Sequence, residues 1–265
     1  RRYTDLPMLV KLRKHGVHWV ADRFVRASDF SDRLGQANNP DWKAVAFDAN
    51  AAAVTVPNGS IGFRWGQKDG EDKGKWNREE REAGGRDVKL RLTLIDVRDD
   101  VAAVAFPYFG GIAHERFQHN DQGGDVLVRN VPAKKLQLAG GEALVATVFD
   151  LLCANYGVGR GLGGNAAASY DDDVPYTPKW QEAITGVKAQ DVITVARQFA
   201  DNADKTHGKS MVIIGAAMNH WYHCDMNYRG VINMLMLCGC IGQSGGGWAH
   251  YVGQEKLRPQ TGWTA

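Results

Sequence analysis

Residues 88–94, Val-Lys-Leu-Arg-Leu-Thr-Leu, alternate apolar and polar side chains without a break, the period-two pattern of a strand with one wet face. The segment around it is also strand-like. Thr4 and Asp5 read as turn residues before an apolar run over residues 6–10 that suits a buried strand. Residues 42–47 and 54–56 flank Asp48-Ala49-Asn50 as a hairpin, and Pro57-Asn58-Gly59-Ser60 is a strong turn signal. Residues 134–138 and 143–146 flank Gly140-Gly141 as a second hairpin.

Helical spacing begins after these strands. Thr147 is placed to cap a helix that runs to about residue 156 and ends at Gly157. Thr177-Pro178 is a cap followed by proline at the first helical position, and Gly186 closes that short helix. Val192, Val195, Ala196 and Phe199 recur at the helical period, predicting an amphipathic helix over residues 189–203. This helix delivers the chain to Met211-Val212-Ile213-Ile214, an unbroken apolar run expected of a strand buried on both faces of a parallel sheet. Gly215 ends that run, and polar Asn219, His220 and His223 follow. Asp225 is then expected to cap a helix that is apolar almost all round over residues 231–237, and therefore buried, with Gly239 and Gly242 ending it. A loop free of bulk, Ser244-Gly245-Gly246-Gly247-Trp248, comes next.

Strand, polar loop, helix and glycine loop in this order predict an α/β arrangement with ligands at the carboxyl ends of the strands. Three consecutive glycines can turn backbone N–H groups toward a phosphate, and they also serve as an ordinary connector. The stretch has neither GxGxxG after its strand nor GxxxxGK[ST], so the common nicotinamide and P-loop fingerprints are missing.

Composition narrows the picture further. The chain has 265 residues, 44% of them hydrophobic, enough for one large domain or parts of two. Its 32 Lys and Arg against 30 Asp and Glu give a net charge of +2, without the clustered basic excess of a nucleic-acid surface. No run of apolar residues is long enough to span a membrane. Residues 66–85 carry five glycines and eleven charged residues of both signs, so they are expected to form an exposed excursion. Residues 106–111 read as an aromatic turn and residues 114–124 as polar loop. Asp171-Asp172-Asp173 lacks the alternation of a calcium loop. Four cysteines, Cys153, Cys224, Cys238 and Cys240, are too few for a disulfide framework and fit a reducing compartment. His220, His223, Cys224 and His250 could be drawn together around a metal, but HxxHC is no established ligand spacing.

The run NHWYHCDMNYRGVINMLMLCGCIGQSGGGWAHYVGQEKLRPQTGW, with TDLPMLV, NNPDW, VPNGSIGFRWG, FPYFGG, SYDD, YTPKW and QFADNADKTHGKSM before it, resembles the catalytic α subunits of membrane-bound respiratory nitrate reductases. These belong to the molybdopterin oxidoreductase (DMSO reductase) family, and the similarity covers nearly the whole chain. The resemblance implies an α/β fold: a Rossmann-like parallel-sheet portion over residues 147–265, with a strand-rich insertion over residues 1–146, each an incomplete domain. It implies a cofactor, molybdenum bis(molybdopterin guanine dinucleotide), whose site takes in Gly215, Asn219, His220, Trp221, Gly245, Gly246, Gly247, Trp248, Gly253, Gln254 and Lys256. Asn219 and His220 would bond pterin or phosphate groups, the glycines would let backbone approach, and Lys256 would neutralise phosphate.

The same resemblance implies reduction of nitrate to nitrite, with electrons from an iron–sulfur β subunit and a haem b membrane subunit. The enzyme would sit on the cytoplasmic side of the bacterial cell membrane, held there by its partners. The molybdenum ligand and the residues holding a [4Fe–4S] cluster are expected upstream of an internal fragment, which alone would be inactive. Two other classes remain open: another dinucleotide-binding oxidoreductase using the same strand-end crevice, and a non-catalytic scaffold segment.

Overall fold

The computed structural model describes residues 4–58, 61–63, 77–78, 81–82, 86–107 and 126–250. The chain divides into two compact units, and the later boundary between them falls at Thr194/Val195.

In the first unit the strands are β1 (Leu9–His15), β2 (His18–Phe24), β3 (Ala46–Asp48), β4 (Ala53–Thr55), β5 (Pro57–Asn58), β6 (Ile61–Phe63), β7 (Asn77–Arg78), β8 (Arg81–Glu82), β9 (Asp100–Pro107), β10 (Val126–Leu138) and β11 (Gly141–Thr147), the residue Phe63 of β6 and Asn77 of β7 lying across the unit boundary. Five of them close a barrel in the order β1-β11-β10-β9-β2. The turn before β1 is structural: Leu6 N–H donates to the Thr4 hydroxyl and Met8 N–H to the Asp5 carbonyl. The hairpin predicted around Gly140-Gly141 is the β10–β11 pair, with Leu138 opposite Gly141. The hairpin around Ala49-Asn50 is the antiparallel β3–β4 pair.

Alternation along β1 and β11 separates two cores. Val10, Leu12, Leu144 and Ala146 point into the barrel with Val104, Phe106 and Val131. Leu9 and Val145 point the other way, against Val25, Val45, Phe47 and Leu94. Helix α1 (Val148–Asn155) closes the barrel interior with Leu151 and Ala154. Its cap is the one expected, since Thr147 Oγ1 accepts from Asp150 N–H, and Gly157 follows at φ +71°. Helix α2 (Pro178–Thr185) starts at Thr177 and ends at left-handed Gly186, as expected.

The strictly alternating residues 88–94 are not a regular strand. Val88, Leu90 and Leu94 are buried as the alternation requires, but among the described residues the segment's ladder pairing with β3 is one isolated bridge, between Asp48 and Leu90. Alternation reports which face is buried; it does not say that a neighbour pairs along the whole length. The turn at Gly59-Ser60, most of the charged stretch 66–85, residues 108–111 of the aromatic turn and residues 114–124 lie outside the described residues.

Buried polar centres help to hold this unit together, among them Arg129 and Asp48. Arg129 of β10 is 2% exposed and donates to the carbonyls of Ala154, Asn155, Asn165 and Pro175. Burial pulls its pKa below the usual value, and the carbonyls at the end of α1 offset the cost of the buried charge. Asp48, whose side chain is wholly enclosed, accepts from Lys89 N–H at 2.9 Å, Asn50 N–H at 3.0 Å and the Arg86 guanidinium at 2.8 Å. Burial pushes the Asp48 carboxyl up, and these three donors together outweigh it, holding the group below the ordinary carboxylate value. A carboxylate held low stabilises the fold above its unfolded pKa of about 3.9, and the contribution disappears as pH falls through that value toward the lower folded one. The acid limb of the subunit's stability curve is therefore expected to flatten in Asp48→Asn, measured by thermal melts between about pH 5 and pH 3. An unchanged acid limb would remove Asp48 as a contributor.

Candidate functional site

Helix α3 (Ala189–Lys205) crosses the boundary at Thr194/Val195, and in the second unit its later part leads into strand β12 (Met211–Ile214). The four-residue turn of helix α4 (Ala216–Asn219), helix α5 (Cys224–Leu237) and strand β13 (Gly247–His250) follow. Strands β12 and β13 are parallel, with Met211 opposite Gly247 and Ile214 opposite His250. Their carboxyl ends thus share one edge, where a βα crossover must leave polar loop. Val212 and Trp248 pack with Phe199, Ala203, Val231, Leu235 and Cys240 on one face of the pair.

Two expectations fail here. Met211 is 45% and Ile213 79% exposed, so β12 is buried on one face and not on both. Helix α5 buries only Leu235 fully and leaves Ile232 37% exposed. Among the described residues α3 and α5 pack on the Val212 face and nothing covers the Met211 face, while the side of α5 that carries Ile232 is left half-open. The cap of α5 also differs. His223, at φ +55°, occupies the cap position, while Asp225 lies in the first turn, where a negative charge complements the helix dipole.

The parallel register divides the residues expected at the site. Gly215, Asn219, His220 and Trp221 lie at the carboxyl edge, directly after β12. Gly245, Gly246 and Gly247 lie at the amino end of β13, the opposite edge. Two of the three glycine N–H groups are already used, Gly246 donating to Gln243 O at 3.0 Å and Gly247 to Ser210 O at 3.1 Å. Gly246 faces inward: a side chain there would run into the carbonyl oxygens of Gly208 and Cys240. Gly245 stands at φ +84° with open space around it. The glycine loop is therefore mainly a fold element. Gly253, Gln254 and Lys256 lie outside the described residues.

The carboxyl edge is polar and open. Gly215 has extended backbone, φ −98° and ψ −173°, and nothing within 4 Å of where a Cβ would stand. His220 ends α4 with its side chain exposed, and Trp221 is 60% exposed. Asn219 is instead held in a cluster. The Tyr228 hydroxyl of α5 donates to Asn219 Oδ1 and lies 3.2 Å from His250 Nε2, which is 3.5 Å from Asn219 Nδ2. The Trp248 ring stacks on His250 at 5.9 Å and meets the Tyr228 ring at 5.0 Å. Partial burial first, and the Cys224 thiol second, raise the Tyr228 pKa above its ordinary value. Tyr228 escapes sequence reasoning because its residue type suggests no chemistry. Its spacing does mark it, since Tyr228, Val231 and Leu235 form one helical stripe toward the sheet. His250 stands with Asn219 and Tyr228, and no cluster of three or more His, Cys, Asp or Glu fit to hold a metal occurs among the described residues.

Donors, acceptors, an aromatic face and an approachable glycine thus lie along one strand edge. Comparison with known proteins gives the family. The chain is 59% identical over 99% of its length to the respiratory nitrate reductase 1 alpha chain of Escherichia coli and 44% identical, again over 99%, to the nitrate reductase alpha chain of Bacillus subtilis. It is 39% identical over 46% of its length to the perchlorate reductase subunit alpha of Dechloromonas aromatica. It spans about a fifth of the nitrate reductase chains, 21% and 20% of their lengths. The molybdopterin oxidoreductase family model matches residues 8–261, and with mixed sheet and helix in its fold this chain belongs to the molybdopterin oxidoreductase family.

Proposed function

We propose that this chain is part of the catalytic subunit of a quinol-linked respiratory nitrate reductase, where it forms one wall of the site for molybdenum bis(molybdopterin guanine dinucleotide). The observation that carries this reading is the 59% and 44% identity to nitrate reductase α chains over 99% of the chain. The parallel β12–β13 pair serves as one portion of a Rossmann-like sheet, and both units belong to larger domains. The residues of the carboxyl edge fit the cofactor. Asn219 and His220 bond its pterin and phosphate oxygens, Trp221 offers an aromatic face, and Gly215 lets backbone approach. Trp248 supports the edge from beneath by packing on Tyr228 and His250. Gly253, Gln254 and Lys256, which the resemblance assigns to the cofactor, follow β13 in sequence, and Lys256 would neutralise phosphate. Of the glycine loop, Gly245 keeps a role toward ligand, while Gly246 and Gly247 shape the turn.

When bound, the cofactor supplies the oxygen-atom transfer that converts nitrate to nitrite. Electrons come through a [4Fe–4S] cluster of the same subunit, an iron–sulfur β subunit and a haem b membrane subunit. No helix among the described residues is long and apolar enough to cross a membrane. The place proposed for the subunit, on the cytoplasmic side of the membrane and held by partners, rests on the likeness to respiratory nitrate reductase α chains.

The test uses the full-length subunit in its complex. Gly215→Val sits on extended backbone in open space, so it is expected to leave assembly and melting temperature unchanged while blocking ligand approach. His220→Ala removes one polar contact. Both are expected to lower molybdenum and guanine nucleotide together, with nitrate turnover falling at least in proportion. Full content and full turnover in both variants would contradict the placement of the site.

A further inference from the structure

Asn219, Tyr228 and His250 come from three elements, α4, α5 and β13, and meet at the carboxyl edge of the strand pair. An asparagine amide alone has two orientations of similar energy, which exchange a donor for an acceptor toward any ligand. The Tyr228 hydroxyl removes that choice. It donates to Asn219 Oδ1, which turns Asn219 Nδ2 toward His250 Nε2 at 3.5 Å. One hydrogen of Nδ2 faces the imidazole and the other is left for an acceptor outside the cluster. The Trp248 ring, 5.9 Å from His250 and 5.0 Å from Tyr228, fixes both aromatic partners from one side.

We propose that Tyr228 is a positioning residue for the cofactor edge, its hydroxyl holding the Asn219 amide with its donor outward and His250 in register beside it. The inference rests on the reading of that edge as the pterin-dinucleotide site. Tyr228 acts through Asn219 and need not touch the ligand. A donor held in place toward a pterin carbonyl or phosphate oxygen loses no orientational freedom on binding, so it slows release of the cofactor.

The experiment measures the rate at which pterin fluorescence and guanine nucleotide leave the full-length subunit in its assembled complex during dialysis. It also measures melting temperature in Tyr228→Phe, Asn219→Ala and the double variant. Phenylalanine keeps the ring packing against Trp248, so the melting temperature of Tyr228→Phe is expected to match the wild type. Its cofactor release is expected to be about three-fold to ten-fold faster. Adding Tyr228→Phe to Asn219→Ala is expected to produce no further acceleration, because the amide that the hydroxyl holds is gone. Wild-type release from Tyr228→Phe with fast release from Asn219→Ala would overturn the positioning role and leave the site standing. Additive acceleration, or a fall in melting temperature that tracks the loss, would also overturn it, since the hydroxyl would then act on its own or on the fold. Wild-type release from both single variants would remove the site itself.

Discussion

Gly246→Val is expected to destroy the fold around β13 before any ligand contact is tested. The new Cβ would overlap the Gly208 carbonyl oxygen and stand 2.8 Å from that of Cys240. Both are backbone atoms, which cannot swing aside as a long side chain does. Gly208 is itself hemmed in, because a Cβ there would meet the Gly239 carbonyl. The turn before β12, the end of α5 and the entry to β13 are thus three backbone segments in van der Waals contact, and one of them would have to move. Substitutions that force such movement fall in the rare class that costs more than about 4 kcal/mol. The full-length Gly246→Val subunit is expected to be proteolysed near residues 208–250 and to be recovered in low yield, while Gly215→Val folds normally. A Gly246→Val subunit with wild-type melting temperature and protease resistance would contradict the packing described here.

Asp150→Ala is expected to be the most damaging polar substitution in the barrel unit. Asp150 is 0% exposed and accepts from the Thr93 hydroxyl, from Leu94 N–H at 2.8 Å and from Arg160 at 2.6 Å. Arg160 in turn donates to the Thr93 hydroxyl at 2.6 Å and lies over the Phe149 ring. The group therefore ties the start of α1 to the segment after residue 88 and to the loop that follows α1. Alanine leaves the Leu94 N–H buried without its partner and an Arg160 whose side chain is only 15% exposed without its carboxylate. Removing one member of a buried ion pair costs about 3–5 kcal/mol. Thermal or urea unfolding of the subunit would measure this, and a loss below about 1 kcal/mol would show that water replaces the carboxylate at little cost.

What the sequence made legible was local. Thr147, Thr177-Pro178 and Gly186 mark helix ends by chemistry confined to one turn, and the structure places all three as expected. The hairpin at Gly140-Gly141 was readable for the same reason. Barrel closure was not, because it depends on β2 meeting β9 at Trp19 and Val104, distant residues whose types announce no pairing. An apolar run such as residues 211–214 does not say how many of its faces find a neighbour, and β12 finds one. Of the residues that resemblance singled out, Asn219 and Trp248 each meet Tyr228 and His250. The register of β12 against β13 decided the rest, sending the glycine loop to the far edge and setting His250 beside Tyr228. Register is a tertiary fact, and no spacing within either segment encodes it.

The central claim is that this edge holds a pterin guanine dinucleotide, and the most direct measurement is what the denatured full-length subunit releases. Pterin fluorescence and guanine nucleotide in equal amounts, both reduced in Gly215→Val and His220→Ala, are the predicted result. Release of a nicotinamide or flavin nucleotide, or of no nucleotide at all, would contradict it.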